Sequence, residues 1–115
     1  MKLVSDILIV IVALLHFYFL YLEMFLWDKP RGMKSFRMTE EQAKQSKTLA
    51  ANQGLYNGFL AAGLLWGLFA GDAVKIFFLS CVIIAGIFGA FTVSKRIFYI
   101  QAVPAILALV ILLVG

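Results

Sequence analysis

His16, Glu23, Asn52, Gln53, Asn57 and Gln101 are the side chains that could do chemistry within the apolar stretches of this chain. Glu23 stands out, because it interrupts the almost unbroken apolar run of residues 7–27. A carboxylate in hydrocarbon is costly, so it is expected to face protein, a cavity or a partner. His16 lies seven residues earlier, two helical turns away and on the same face. Gln53 and Asn57 share a face at i,i+4 spacing, and Asn52 occupies the adjacent one with Tyr56. A carboxylate can act as a charge partner while amides, each with donors and an acceptor, orient a polar molecule. The pattern contains no nucleophilic triad, no phosphate loop and no metal site, since His16 and Glu23 are too sparse a pair for a metal. Cys81, the one cysteine, cannot form an internal disulfide and reads as a small buried apolar residue.

The elements that must position these groups follow from composition. The chain has 115 residues, 63% of them hydrophobic, and a mean hydropathy of +0.99. A soluble domain of this length could not hide so much apolar surface. Four stretches approach the roughly 20 apolar residues that span a bilayer as a helix. They are Ile7 to Trp27, about Leu49 to Ala70, Ala73 to Val93, and Ile97 to Val114. Short connections make neighbours antiparallel. The expected fold is an all-α, polytopic, antiparallel bundle of four transmembrane helices that uses residues 1–115 as one domain. The first run is too long for a signal peptide and lacks a small-x-small cleavage site, so it reads as a retained helix.

The net charge of +4 does not point to nucleic acid, because of where the charges lie. Lys29, Arg31, Lys34, Arg37, Lys44 and Lys47 fall between the first two helices, and Lys95 and Arg96 between the last two. Only Lys2 and Lys75 fall on the other side. The positive-inside rule then predicts a cytoplasmic-membrane protein with both termini outside. The basic loop is also suited to anionic lipid headgroups. With a rise of 1.5 Å per residue, Glu23 lies roughly 6 Å inside the cytoplasmic boundary marked by Trp27. Gln101, Asn52, Gln53 and Asn57 fall in the same third of the bilayer, with His16 nearer the midplane.

Local signals set the boundaries. Asp28 to Gly32 reads as a turn. Thr39 followed by Gln42 fits a capping box that starts the second helix near Glu40, where Glu40 and Lys44 are spaced as a weak pair. Gly71-Asp72 reads as a tight external turn and Ser94-Lys95-Arg96 as a second cytoplasmic one. Pro104 removes the donor for the Ile100 carbonyl and predicts a bend. Gly54, Gly58, Ala61 and Ala62 on the second helix, and Ala85, Gly86, Gly89 and Ala90 on the third, suggest that these two small-residue faces pack together, with a subunit interface as the alternative. Phe77, Phe78, Phe88 and Phe91 read as lipid-facing or packing groups.

Glu23-Met24-Phe25-Leu26-Trp27, Phe36 and the block Asn52-Gln53-Gly54-Leu55-Tyr56-Asn57-Gly58 form a distinctive set. With Ala85-Gly86, Gly89-Ala90 and Gln101 ahead of Pro104, it resembles the family called domain of unknown function 1304. That resemblance covers nearly the whole chain and implies a small, four-helix integral membrane protein of a mostly bacterial family. It implies no chemistry. A looser resemblance is to the membrane-associated eicosanoid and glutathione metabolism superfamily, which has four helices, outward termini and a basic first loop. It would imply a trimer that binds glutathione between subunits near the cytoplasmic face. Lys47, Asn52 and Asn57 loosely match the polar residues of that superfamily's second helix. The spacing differs, and the stretch from 49 to 70 has no acidic residue.

Three functional readings result. The preferred one is binding or passage of a small polar solute at a cytoplasm-side intramembrane pocket of Glu23, Asn52, Gln53, Asn57 and Gln101, with His16 above it. The second is a glutathione-type or lipid-modifying membrane enzyme. The third is a structural or partner-binding membrane subunit, in which the same residues are interhelical glue. A homo-oligomer is expected in a lipid bilayer.

Overall fold

Long apolar runs let a helical backbone satisfy its own hydrogen bonds, the arrangement open to an isolated segment in hydrocarbon. The computed structural model describes residues 1–115 and is helical throughout, with no strand. The order is α1 (Lys2–Phe25), α2 (Pro30–Ser35), α3 (Glu40–Ala70), α4 (Asp72–Thr92), α5 (Lys95–Ile97), a π-helical turn (Phe98–Ala102) and α6 (Val103–Val114). Three stretches are long and apolar enough to cross a membrane: Lys2–Phe25, Asp72–Thr92 and Lys95–Val114. α3 is the longest helix, at 31 residues. Its first turns carry Glu40, Glu41, Lys44 and Lys47, and its middle carries Asn52, Gln53 and Asn57 among glycines, so it is less apolar than the others.

The chain divides into two compact units, residues 1–15 with 60–115, and residues 16–59. The first unit has a core of Ile9, Val12 and Ala13 from α1, Ala61 and Leu64 from α3, Leu79 and Val82 from α4, and Ala105 and Ala108 from α6. Small residues bring its backbones close. A Cβ on Gly86 would stand 2.7 Å from Ala102 Cβ and 3.0 Å from Ala102 N. Gly89 seats Ile97, Gly63 seats the Phe78 ring, and Gly67 lies against the backbone of Lys75. Ser5 Oγ donates to the Ala108 carbonyl at 3.1 Å. Gly71, at φ 114°, makes the sharp link between α3 and α4 that a side chain would strain.

The second unit holds the C-terminal part of α1, α2 and the first part of α3. Here the expected turn at Asp28–Gly32 holds only for its first residues, and from Pro30 the chain forms a six-residue helix, α2. Proline at its first position is pre-shaped for a helix and loses no needed donor. Gly32 is obligatory, because a Cβ would overlap the Leu26 carbonyl. α2 ends with Met38 N donating to Met33 O at 2.9 Å and Arg37 N to Lys34 O at 3.3 Å, while Arg37 takes φ 52°. That is a Schellman ending with arginine in the left-handed position. The capping box is present: Gln42 N donates to Thr39 Oγ1 at 3.1 Å and Thr39 N to Gln42 Oε1 at 2.9 Å.

Two sequence expectations change. The small-residue faces of α3 and α4 do not pair with each other. Gly54 and Gly58 receive Leu20, Glu23 and Met24 of α1, while Gly86 and Gly89 receive Ala102 and Ile97. Gly54 and Gly58 are filled by side chains of α1, whereas at Gly86 the backbone of Ala102 itself comes close. The proline effect is also more specific than a bend. The segment before Pro104 widens to a π turn over Phe98–Ala102, with Val103 N–H donating to the Phe98 carbonyl five residues back. Phe77, Phe88 and Phe91 are exposed, whereas Phe78 packs on the core.

Gly86→Val should destabilise the protein by about 1–3 kcal/mol, because rigid backbone at Ala102 blocks the added atoms. Gly89→Ala should cost less, since the Ile97 side chain it meets can rotate. Thermal unfolding in mild detergent checks the order; equal effects would contradict it.

Candidate functional site

Glu23 sits near the end of α1, and Gln53 and Asn57 project from one face of α3 a helical turn apart. Gly54 lies between them. A Cβ there would fall 3.1 Å from Glu23 Cβ and closer still to the Met24 side chain, so its absence lets α3 approach α1. The result is a two-pronged contact. Gln53 Nε2 donates to Glu23 Oε2 at 2.8 Å, and Asn57 Nδ2 donates to Glu23 Oε1. Glu23 is only 2% exposed and Asn57 is also buried. Gln53 is exposed on its outer side.

The cluster is lopsided electrostatically. Two amide dipoles solvate the carboxylate, but no cation stands beside it. The groups it still offers are the remaining carboxylate lone pairs, the two amide carbonyl oxygens and the second N–H of each amide.

The other sequence candidates are placed differently. Asn52 is exposed on the neighbouring face of α3 and is not among the donors to Glu23. His16 is fully buried, with its ring edge-on to Phe19 at 5.3 Å between centroids. Gln101 lies half-buried in the π turn, in the first unit. No group of three or more His, Cys, Asp or Glu side chains is placed to hold a metal ion. Cys81 is a half-buried free thiol.

Below the cluster, the ends of α1 and α3 are clamped together. Trp27 Nε1 donates to Ser46 Oγ at 3.0 Å, Ser46 Oγ donates to the Gln42 carbonyl at 2.7 Å, and the Trp27 and Phe36 rings lie 4.7 Å apart. Lys47 Nζ pairs with Asp28 Oδ2 at 3.0 Å. Its hydrogen bond holds the Asp28 carboxyl below the usual aspartate value.

A second charged cluster was missed in the sequence. Lys75, read there as an external charge, is 1% exposed. Its Nζ lies 2.8 Å from Asp6 Oδ1 and 3.6 Å from Asp72 Oδ1. The available signal was the i,i+3 spacing of Asp72 and Lys75, together with an acid near the start of α1.

Residues 10–113 match the family described as "Protein of unknown function (DUF1304)". A relative named "Uncharacterized protein YpaA", from Lactococcus lactis subsp. lactis (strain IL1403), is 35% identical over 115 residues, covering 96% of this chain and 97% of the relative. No solved structure matches the chain.

Asn57→Ala should destabilise the second unit by about 1.5–3 kcal/mol, the range for a hydrogen bond to a charged group. Gln53→Ala, at an exposed position, should cost less. The two losses should be non-additive in a double-mutant cycle, because both amides serve one carboxylate; additive losses would mean that they act independently. The Asp28 contribution should be complete above its unfolded value of about 3.9. It should fade as pH falls through the lower folded value. Trp27 fluorescence followed on acidification should show this step in the native chain and lack it in Lys47→Gln.

Proposed function

The chain belongs to the DUF1304 family of proteins of unknown function, and from that premise we propose that the Glu23 cluster binds a small polar solute within the membrane. The observation that carries this reading is a buried carboxylate solvated by two amides with no cation beside it. In its ionised form such a carboxylate lacks a counter-charge, and the amides beside it keep both an acceptor and a donor for orienting a solute. The complementary solute is small and cationic, or rich in hydrogen-bond donors. Glu23 is its charge partner, Gln53 and Asn57 orient it, and passage across the bilayer is the natural extension of binding. Asn52, Gln101 and His16 are secondary contributors in this reading.

The same proposal takes the apolar half of α3, about Leu49 to Ala70, as a fourth membrane span. Its 22 residues measure about 33 Å as a helix, and its glycines seat side chains of neighbouring helices. The four spans run antiparallel in a cytoplasmic membrane, with both termini outside and the basic segments inside. The chain acts as a homo-oligomer.

A structural role is the second reading. It is favoured by the fact that both Glu23 oxygens already accept a hydrogen bond from the protein. A glutathione-type enzyme gains no support from the Glu23 cluster, which holds no cation for an anionic tripeptide.

The test compares the native chain and Glu23→Gln in detergent, with ammonium, guanidinium and choline as probes. A bound probe at ten times its Kd should stabilise the native chain by about 1.4 kcal/mol. Glu23→Gln should keep its fold and lose that gain. If no probe stabilises the native chain and Glu23→Gln is itself unstable, the structural reading takes over. Stabilisation by glutathione would instead revive the enzyme reading.

A further inference from the structure

A cleft of about 400 Å³ opens in the second unit, lined by Tyr18 of α1 and by Pro30, Arg31, Lys34 and Ser35 of α2. It is distinct from the Glu23 cluster, none of whose residues line it. We propose that this cleft binds the phosphate-bearing headgroup of an anionic lipid.

The argument starts from charge. The lining contains two cations and no carboxylate. Arg31 touches only the Tyr18 hydroxyl, at 3.5 Å, the outer limit for a hydrogen bond. Most of its five donors are therefore free. Lys34 is exposed and makes no ion pair. The acids on either side in sequence do not pair with these cations: Asp28 is engaged by Lys47, Glu23 is buried under its two amides, and Glu40 and Glu41 make no ion pair with Arg31 or Lys34. A planar guanidinium fork, an ammonium and a phenol hydroxyl together match a phosphate diester, which the fork can hold through two parallel bonds. The cleft volume falls within the range for small-ligand sites.

The surroundings select a lipid over a free phosphate. Tyr18 shares one exposed face of α1 with Phe17, Tyr21 and Phe25, which are 38%, 50% and 61% exposed. α1 is long and apolar enough to cross a membrane, so that aromatic stripe is solvated by acyl chains. A lipid held in the cleft also lies against the apolar surface of α1 beside Tyr18, whereas a soluble anion would use the cleft alone. The chain folds this way because Pro30 starts α2 and Gly32 lets it press against the Leu26 carbonyl. Those two residues set Arg31 and Lys34 against α1.

Native mass spectrometry of the full chain, released from detergent containing equal amounts of dioleoylphosphatidylglycerol and dioleoylphosphatidylcholine, tests this. One phosphatidylglycerol per chain should be retained in preference to phosphatidylcholine. Arg31→Gln with Lys34→Gln should lower retention roughly 25-fold, about fivefold for each cation lost near a membrane surface. Arg31→Lys, which keeps the charge and loses the fork, should give a smaller drop. Lys44→Gln with Lys95→Gln removes the same charge from outside the cleft and should leave retention unchanged. The proposal is overturned by equal loss in the two double variants, by undiminished retention in the first, or by no preference for the anionic lipid. Displacement of the lipid by millimolar inorganic phosphate would overturn it in favour of a soluble-phosphate site.

Discussion

In hydrocarbon, a polar group that the protein does not satisfy stays unsatisfied. This requirement governs much of the architecture. No buried side-chain nitrogen or oxygen lacks a partner. Glu23 is the most demanding case, because water cannot share the work of solvating it. Its two oxygens fix which residues of α3 must face α1, namely Gln53 and Asn57, one turn apart. They also fix how close α3 must come, and hence the glycine at position 54. Sliding α3 by one residue would carry both amides off the carboxylate. One side chain thus specifies register, spacing and composition on the neighbouring helix.

Each unit meets this requirement with its own polar anchor. In the first, Lys75 bridges Asp6 and Asp72, and Ser5 caps a carbonyl of α6. In the second, the Glu23 contact is backed by Trp27 on Ser46 and Lys47 on Asp28. Apolar packing in lipid distinguishes poorly between one helix rotation and another, since acyl chains are as apolar as leucine. Polar anchors and glycine seats supply that discrimination. A partly buried ion pair such as Lys75 with Asp6 is weak evidence for net stability. Its value here lies in permitting one helix pairing and penalising others.

Much of what depends on one helix at a time was legible in the sequence, α2 excepted. The capping box put the start of α3 at Glu40, and three of the four apolar runs coincide with helices long and apolar enough to cross a membrane. The i,i+4 spacing of Gln53 and Asn57 put them on one face, and Glu23 was conspicuous as a charge in an apolar run. Contact between helices was harder to read. Asn52 looks as good a ligand as Gln53 until the helix rotation is known. Gly54 and Gly86 announce close approach without naming the side chain that fills the groove. Lys75 resembles any loop-flanking cation, because its burial depends on an acid 69 residues away. The π turn escaped because proline says only that a carbonyl is freed, while the surrounding packing decides how the backbone responds.

That last ion pair also imposes an order of events on biogenesis. Asp6 is made first, and its partner Lys75 emerges 69 residues later. At a synthesis rate of about 5–20 residues per second, roughly 3–14 s separate the two. Through that interval α1 carries its acid without the ammonium that buries against it in the finished protein. Until α4 arrives, water takes the place of that ammonium at Asp6. The first helix cannot settle into its final seat before the polypeptide is more than half complete.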